Sequence, residues 1–335
     1  MRVLSNNRSF VIGLVVVAFL AVIPFVNDSR SMLILLTQVF IFAIFAMSFD
    51  ILLGYTGIVS FGHCLFFGIG AYSVALLFDR QGGELMSFAA GMAIALVLAV
   101  VISYIIGMLS LRLKSHFYAM LTLAFSQLFL VLAEKWRTLT HGGDGFTFMV
   151  PNLFRDRLSF YYITFICLIV LFILLKLFTE SSAGKVLKAI SQNEQRAEAL
   201  GYKTLHYKVI ASIVAGTTAA VSGGLYVVTL RFVNTTVFSI DVTLDALLMT
   251  MIGGVGTLVG AIAGAGIIEY LQHYLSELGS TYPIFERWTI LLGLLYIFVI
   301  LGFPSGLAGL FKKVSKRRGK KKSADRNGEG LEKTA

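Results

Sequence analysis

Charged residues, prolines and cysteines are scarce in this sequence of 335 residues. Asp, Glu, Lys and Arg make up 14% of the chain, against roughly 25% in an average soluble domain. Hydrophobic residues account for 57%, so most side chains are not expected to face water, which excludes a soluble globular protein. The two cysteines, Cys64 and Cys167, lie inside apolar stretches and lack the spacing of a disulfide framework or a zinc site.

Motifs for nucleotide hydrolysis and for enzyme chemistry are also missing. The string closest to a Walker A loop, AGKV at 183–186, lacks the first glycine and the hydroxyl residue that holds magnesium. Neither a His/Glu metal pattern nor a nucleophile elbow occurs. We therefore expect no nucleotide or metal cofactor on this chain and no enzymatic activity of its own.

Long apolar runs fill most of the chain. A membrane-spanning helix needs about 20 apolar residues, and runs near or above that length lie at 11–26, 32–53, 60–78, 86–111, 117–133, 159–178, 207–230, 243–275 and 286–303. The run 243–275 is too long for one ordinary crossing and is interrupted by the string GGVG at 253–256, so we divide it into two spans. The sequence thus predicts an all-α polytopic membrane protein with about ten transmembrane helices.

The distribution of basic residues predicts the orientation, because Lys and Arg favour cytoplasmic loops. With both termini inside, 20 of the 28 Lys and Arg residues are cytoplasmic, and ten of these follow Phe311. We expect a cytoplasmic N-terminus at 1–10, a transmembrane domain at 11–310 and a disordered basic tail at 311–335. The tail is interpreted as a topology anchor attracted to anionic lipid, with a regulatory role as the alternative. A nucleic-acid binder would instead carry such charge on a folded face.

One polar segment, Ser182–Gly201, lies between two apolar runs. Its helical spacing predicts an amphipathic helix, with an apolar face formed by Ala183, Val186, Leu187 and Ile190. Such a helix could lie on the membrane surface. The alternative, which we favour, is that it docks into a partner ATPase as part of a cytoplasmic coupling loop at 180–206.

Two glycine-rich breaks interrupt the apolar runs, at Gly54–His63 and Met251–Gly266. Irregular backbone at membrane depth is tolerated where it is buried in protein or lines a watery cavity, so each break could form part of a translocation pathway. Close helix packing is the alternative for both, and it is the preferred interpretation of His63. The same alternatives apply to Thr122 and Ser126, which lie one turn apart on the fifth run. The candidate pathway residues are Tyr55, Thr56, Gly57, Ser60, His63, Thr122, Ser126, Gly253, Gly254 and Gly256.

Ionisable residues within the apolar runs are few. Asp50 lies near the inner end of the second run, where we expect an interfacial location. Glu269 lies deeper and is a functional candidate, because carboxylates inside a membrane are costly. An outer interfacial position beside His273 is the alternative for Glu269.

Five strings together resemble one family over nearly all of 11–310. They are LLGYTGIVSFGHCLFFGIGAY, FYAMLTLAFSQL, KWRTLTHGGDG, SAGKVLKAISQNEQRAEALGY and LLMTMIGGVGTLVGAIAGA. In this order they resemble the permease subunits of bacterial ATP-binding-cassette importers for branched-chain amino acids, and more closely the LivM type. This chain departs from the family pattern at Asp50, where Asn is usual, and at Cys64, where a small residue is usual. It also lacks the proline that follows the glycine at the end of the coupling consensus.

The resemblance implies a helical bundle akin to the vitamin B12 permease in the cell inner membrane. It implies a second permease subunit, two cytoplasmic ATPase subunits that bind ATP and magnesium, and an extracytoplasmic substrate-binding protein. The coupling element falls on 182–201, where the candidate contacts are Gly184, Lys188, Glu194, Glu198 and Gly201. Two other functions stay open at this point: a permease for urea or short amides, and an ion-coupled secondary transporter.

Overall fold

The computed structural model describes residues 20–24, 29–110, 115–281, 290, 293 and 294. These residues are almost wholly helical. The α-helices are, in chain order, α1 (Arg30–Asp50), α2 (Cys64–Gln81), α3 (Leu85–Ser110), α4 (Ser115–Lys135), α5 (Arg137–Thr140), α6 (Asn152–Arg155), α7 (Arg157–Glu180), α8 (Ser182–Gln192), α9 (Glu194–Ala199), α10 (Thr204–Leu230), α11 (Ile240–Gly253) and α12 (Leu258–Thr281). A π-helix, Ile51–Thr56, continues α1, and 3-10 turns cover Gly142–Asp144 and Thr235–Phe238.

Within the described residues, five helices are long and apolar enough to cross a membrane, which supports a polytopic membrane fold. They are Arg30–Thr56, Leu85–Leu109, Phe117–Lys135, Arg157–Glu180 and Thr204–Leu230. The expected run 60–78 forms α2, which is less apolar because it ends on Asp79, Arg80 and Gln81. The expected terminal segment 1–10 and tail 311–335 lie outside the described residues. So do the spans at 11–26 and 286–303, apart from short pieces.

The glycine-rich run 243–275 does not form the two full crossings that the sequence suggested. Helices α11 and α12 meet at a bend of 116°. Helix α11 has 14 residues, so it is about 21 Å long, short of the roughly 30 Å hydrocarbon core. The pair is therefore one broken span or a re-entrant hairpin, and five or six candidate spans lie within the described residues.

Helices α2 and α10 form the centre of the bundle and cross at glycines. A Cβ atom on Gly70 would lie 2.7 Å from the carbonyl carbon of Ala220, and one on Gly223 would lie 2.7 Å from that of Phe67. Each helix thus uses a glycine where the backbone of the other approaches, as in small-residue helix crossings within membranes. Helix α3 covers both helices, and α1 packs against α7, α10 and α12.

Helices α1, α7 and α10 together give the bundle two distinct ends. The last residues of α1 and α7 and the first residues of α10 meet α8 and α9, and we call this the α8–α9 end. The first residues of α1 and α7 and the residue after α10 are Arg30, Arg157 and Arg231. They line one cavity, and we call this the arginine end.

The all-α prediction needs one small correction. Strands β1 (Phe146–Thr147) and β2 (Phe232–Val233) form a two-residue antiparallel bridge. The bridge joins the loop after α4 to the chain that leaves α10, because Phe146 pairs with Val233 and Thr147 with Phe232. It thereby fixes the loop beside the arginine end.

Candidate functional site

The polar segment at 182–201 forms two helices instead of the single helix that the sequence suggested. Helix α8 ends at Asn193, whose extended backbone (φ −161°, ψ 102°) breaks the helical run. The Asn193 side chain then caps α9, since its amide oxygen accepts a hydrogen bond of 2.9 Å from the backbone of Arg196. Ser181 caps α8 in the same way through Gly184. Side-chain caps of this kind satisfy backbone donors at a helix start.

The predicted apolar face of α8 packs on this chain itself. Leu187 is 0% exposed and Ile190 is 3% exposed. Helix α8 lies against the π-helix, the end of α7 and the start of α10. Because this face is already covered, it is not available for insertion into lipid, which removes the main argument for a helix lying free on the membrane surface.

Two of the expected partner contacts instead brace the segment internally. The carboxylate of Glu194 forms an ion pair with Lys208 of α10, whose side chain is only 7% exposed. The hydroxyl of Thr204 donates a hydrogen bond of 2.8 Å to Glu198. Both acids therefore attach α9 to the first turns of α10, and this internal role was not evident from the sequence.

The two expected glycines also have structural roles. Gly201 has φ +87°, and its N–H donates to the carbonyl of Glu198 while the N–H of Tyr202 donates to Ala197. This is the Schellman pattern, which favours glycine because the backbone is left-handed. Gly184 is buried and would place a Cβ atom 2.5 Å from the carbonyl carbon of Thr179, so it permits the tight turn from α7 into α8.

The surface of the segment that faces away from the bundle is both charged and apolar. Lys188 is exposed, and its ammonium group has no ion-pair partner among the described residues. Leu200 is 72% exposed and Tyr202 is 43% exposed. Large apolar side chains held in this way on a polar segment are typical of a surface that another protein covers. We call Lys188, Leu200 and Tyr202 the outer face of α8–α9.

The π-helix connects α8 to the bend between α11 and α12. Gly57, which has φ +74°, lies beside α8, since a Cβ atom there would be 3.4 Å from the Cβ of Ser191. One turn earlier, Gly54 lies directly against the backbone of Gly256 in the bend. A push on α8 therefore reaches the bend through a short, closely packed stretch of backbone.

Asp50 fixes the same contact and is the last residue of α1. Its side chain is 0% exposed, and Oδ1 accepts a hydrogen bond of 2.7 Å from the backbone N–H of Gly256. The other oxygen, Oδ2, has no hydrogen-bond partner among the described residues. A buried acid is retained here because it satisfies a backbone donor at a bend where helical hydrogen bonds are lost.

The structure divides the candidate pathway residues into two groups. Tyr55 and Thr56 lie in the π-helix, Gly57 follows it beside α8, and Gly256 lies in the bend against Gly54. Gly253 and Gly254 begin the bend, and Gly253 packs on the backbone of Gly260. The second group lies deeper among α1, α2 and α4 and consists of Ser60, His63, Thr122 and Ser126, all of them 3% exposed or less.

Residues of the second group have packing contacts. Nε2 of His63 lies 2.8 Å from the hydroxyl of Ser48, and the imidazole ring packs against Phe45, Phe49 and Phe66. The hydroxyls of Thr122 and Ser126 each donate to a carbonyl three residues earlier in α4. These contacts agree with the packing alternative for His63.

Among the described residues no cluster of His, Cys, Asp or Glu could hold a metal ion. Glu269 is 7% exposed and is therefore a buried acid. Its neighbour on the next turn, His273, instead lies 3.5 Å from the hydroxyl of Ser31.

Comparison with known proteins decides the family. The model of the family described as "Branched-chain amino acid transport system / permease component" matches residues 31–304. The chain belongs to this family. The match covers α1 through α12, and so includes the α8–α9 segment, the π-helix and the glycine-rich bend.

Curated relatives agree with this assignment. The chain is 24% identical to the "High-affinity branched-chain amino acid transport system permease protein LivM" of Escherichia coli K12, with 90% of this chain and 75% of the relative covered. It is 22% identical to the "Probable branched-chain amino acid transport permease protein LivM" of Methanocaldococcus jannaschii, with 80% of this chain and 90% of the relative covered. No solved structure matches the chain.

The protein is thus a multi-pass membrane permease component of a branched-chain amino acid ABC transport system, a transport subunit without its own ATPase. This confirms the resemblance to the LivM type and the predicted function. The sequence did not reveal that Asp50 and Gly54 hold the bend. The one available signal was an acidic residue directly before a glycine-rich break.

Proposed function

We propose that this permease forms half of a translocation pathway for branched-chain or other hydrophobic amino acids, with a second permease subunit supplying the other half. Two cytoplasmic ATPase subunits bind ATP and magnesium and drive the cycle, and an extracytoplasmic binding protein delivers the substrate. We expect this chain to form about ten spans in a bundle akin to the vitamin B12 permease, with both termini in the cytoplasm.

The observation that carries this proposal is the construction of the α8–α9 end. The inner side of the segment is fixed to the bundle by Leu187, Ile190 and the Glu194–Lys208 ion pair. Its outer face is exposed and partly apolar. A segment that is rigid on one side and open on the other can receive a push from a partner and pass it on without deforming.

The path of that push runs through the π-helix. ATP-driven closure of the partners moves α8, α8 moves Gly57, and Gly54 moves the bend at Gly256. The bend is the point where α11 and α12 change direction, so a small displacement there changes the angle between the two helices. Such a change alternates access only if the partner binds the two states with different affinity.

Leu200 provides the sharpest test of docking. We expect Leu200→Asp to abolish co-purification of the ATPase subunit and ATP-dependent uptake, because a charge would be buried at the interface. Met149, which is 81% exposed in the loop after α4, provides the matched control, and Met149→Asp should leave co-purification of the ATPase subunit unchanged. Full ATPase association of the Leu200→Asp variant would refute docking on the outer face.

Asp50 provides a separate test of transmission. Asp50→Asn keeps an oxygen that accepts from Gly256, whereas Asp50→Leu of similar size does not. We expect the Asn variant to retain uptake per ATP hydrolysed in proteoliposomes. The Leu variant should assemble with the ATPase and hydrolyse ATP with at least about tenfold less uptake, since a lost hydrogen bond to a charged group costs about 1.5–3 kcal/mol. Equal coupling ratios in the two variants would argue against this path.

One observation favours the alternative of an ion-coupled secondary transporter, because Asp50 and Glu269 are both buried acids. It predicts uptake that follows an ion gradient in vesicles without ATP. The proposed function predicts no uptake under those conditions and full uptake when ATP is enclosed together with the ATPase subunits.

A further inference from the structure

Four arginines surround a single cavity at the arginine end of the bundle. The cavity has a volume of about 580 Å³. Its lining residues are Arg30, Leu33, Arg155, Asp156, Arg157, Leu158 and Arg231. These arginines come from three separate segments, at position 30, at positions 155 and 157, and at position 231, so only the fold brings the segments together.

None of the four guanidinium groups has an ion-pair partner among the described residues. Arg231 donates one hydrogen bond of 3.1 Å, to the backbone carbonyl of Arg155. The one carboxylate in the lining, Asp156, is occupied as the cap of α7. It accepts from the backbone of Ser159 at 3.1 Å and from the Ser159 hydroxyl at 2.6 Å. The cavity therefore carries a large excess of positive charge.

The helix directions increase this positive potential. Arg30 is the first residue of α1 and Arg157 is the first residue of α7. A helix N-terminus already carries partial positive charge, so cations there are unfavourable and anions are favourable. Two helix starts and four guanidinium groups thus converge on one volume, and an anion in that volume would relieve the repulsion of all of them.

An apolar slot continues from the cavity. It has a volume of about 230 Å³ and shares Leu33, Arg157 and Arg231 with the cavity. The rest of its lining is mainly apolar and includes Ile34, Phe154, Phe160 and Val228. A ligand that fills both spaces has an anionic group at one end and an apolar chain at the other.

We propose that the cavity and slot bind one anionic phospholipid, with the phosphate on the guanidinium groups and an acyl chain in the slot. The guanidinium fork matches a phosphate in a bidentate manner. The site lies where α1 and α7 begin, which is the level of the lipid headgroups for helices that cross the bilayer. Further along α7, the side chains of Ile166, Val170 and Ile173 are about half exposed, so this side of the bundle presents an apolar surface from which a lipid can enter the slot.

The test compares lipids that share acyl chains and differ in headgroup charge. The full-length protein, purified in a neutral detergent, is titrated with phosphatidylglycerol or phosphatidylcholine, and bound lipid is counted by native mass spectrometry. We expect one phosphatidylglycerol to be retained about tenfold more tightly than phosphatidylcholine, because both lipids carry the phosphate but the choline cation of phosphatidylcholine is repelled by the arginines. Arg30→Gln with Arg157→Gln should remove this preference.

Arg80 provides the matched control. It is an exposed arginine at the end of α2, outside the cavity lining, and Arg80→Gln should retain wild-type binding. The basic tail is common to all variants, so its lipid contacts cancel in the comparison. Thermal unfolding with and without phosphatidylglycerol gives a second readout, in which only the double variant loses stabilisation.

Three results would overturn the proposal. The first is equal retention of the two lipids by the wild-type protein. The second is an unchanged preference for phosphatidylglycerol in the double variant. The third is displacement of the bound lipid by inorganic phosphate or leucine alone at millimolar concentration, which would assign the cavity to a soluble anion.

Discussion

The two ends of the bundle formed by α1, α7 and α10 differ in whether their charged groups are paired within the chain. At the α8–α9 end, Glu194 pairs with Lys208 and Glu198 accepts from Thr204, so charged groups hold the chain together. At the arginine end, four arginines line one cavity without an ion-pair partner among the described residues, and Asp156 is the one carboxylate in the lining. The first end is completed by contacts within the chain, and at the second we propose that a lipid phosphate supplies the missing negative charge.

This difference separates two kinds of contact with the surroundings. A surface that transmits force must be rigid, so its charges are satisfied internally and its outer face is left for the partner. A surface that binds an anion must keep its donors free until the anion arrives. The variants below are therefore expected to change stability in opposite directions at the two ends. Loss of a charge lowers stability at the α8–α9 end and does not lower it at the arginine end.

The largest effect is expected for the ion pair of α9. Glu194→Gln leaves the ammonium group of Lys208, 7% exposed, without its partner. Breaking a buried pair costs about 3–5 kcal/mol, and because the Glu194 side chain is 45% exposed we expect about 2 kcal/mol here. Thermal unfolding in detergent measures this loss. The double variant Glu194→Lys with Lys208→Glu should recover part of it, and an unchanged melting temperature in Glu194→Gln would contradict the bracing role.

A smaller loss is expected for the Schellman turn. Gly201 has φ +87°, so Gly201→Ala forces a side chain into a left-handed backbone and costs about 1 kcal/mol. Gly143 is the matched control, since a Cβ atom there meets nothing within 4 Å and its φ is not positive. Limited proteolysis of the 193–203 segment should accelerate in Gly201→Ala and stay unchanged in Gly143→Ala. Equal cleavage of both variants would show that the turn tolerates a side chain.

At the arginine end, removal of a charge is expected to raise stability instead of lowering it. In lipid-free detergent, Arg157→Gln removes a cation from the start of α7 and should raise stability by about 0.3–1 kcal/mol. The gain should shrink as salt is added, because exposed charges are screened. Arg80→Gln, at the C-terminal end of α2, should not show this gain. A clear loss of stability in Arg157→Gln would mean that the cavity is satisfied without a ligand.

The smallest expected effect concerns pH. The hydrogen bonds from Ser159 lower the pKa of Asp156 from its usual range. A carboxyl group with a lowered folded-state pKa stabilises the fold above its unfolded pKa of about 3.9 and loses this contribution as the pH falls through the folded value. Asp156→Asn should therefore flatten the acid side of the stability profile slightly. Identical stability profiles for the variant and the wild type would show that the carboxylate of Asp156 does not contribute to stability through this cap.

Local sequence patterns predicted the helices and membrane spans, whereas the geometry of the candidate site depends on contacts between residues far apart in the sequence. The spans and the apolar face of α8 follow from runs and from helical spacing, so they were visible in the sequence. The break at Asn193 was missed because the apolar period continues across it. The burial of Asp50 depends on Gly256, 206 residues away, and no local pattern reports such a contact. The arginines of the cavity were counted only as outer loop charges, because convergence from three separate segments is a property of the fold.

The most direct test of the account is the position of its two ends relative to the membrane. Single cysteines at Lys188 and Arg80, in a background without Cys64 and Cys167, are treated in intact cells with a maleimide that cannot cross the membrane. We expect the cysteine at position 80 to be labelled directly and the one at position 188 only after permeabilisation, with less labelling when the ATPase subunits are present. Labelling of position 188 in intact cells would place α8–α9 outside and contradict its role as the docking surface.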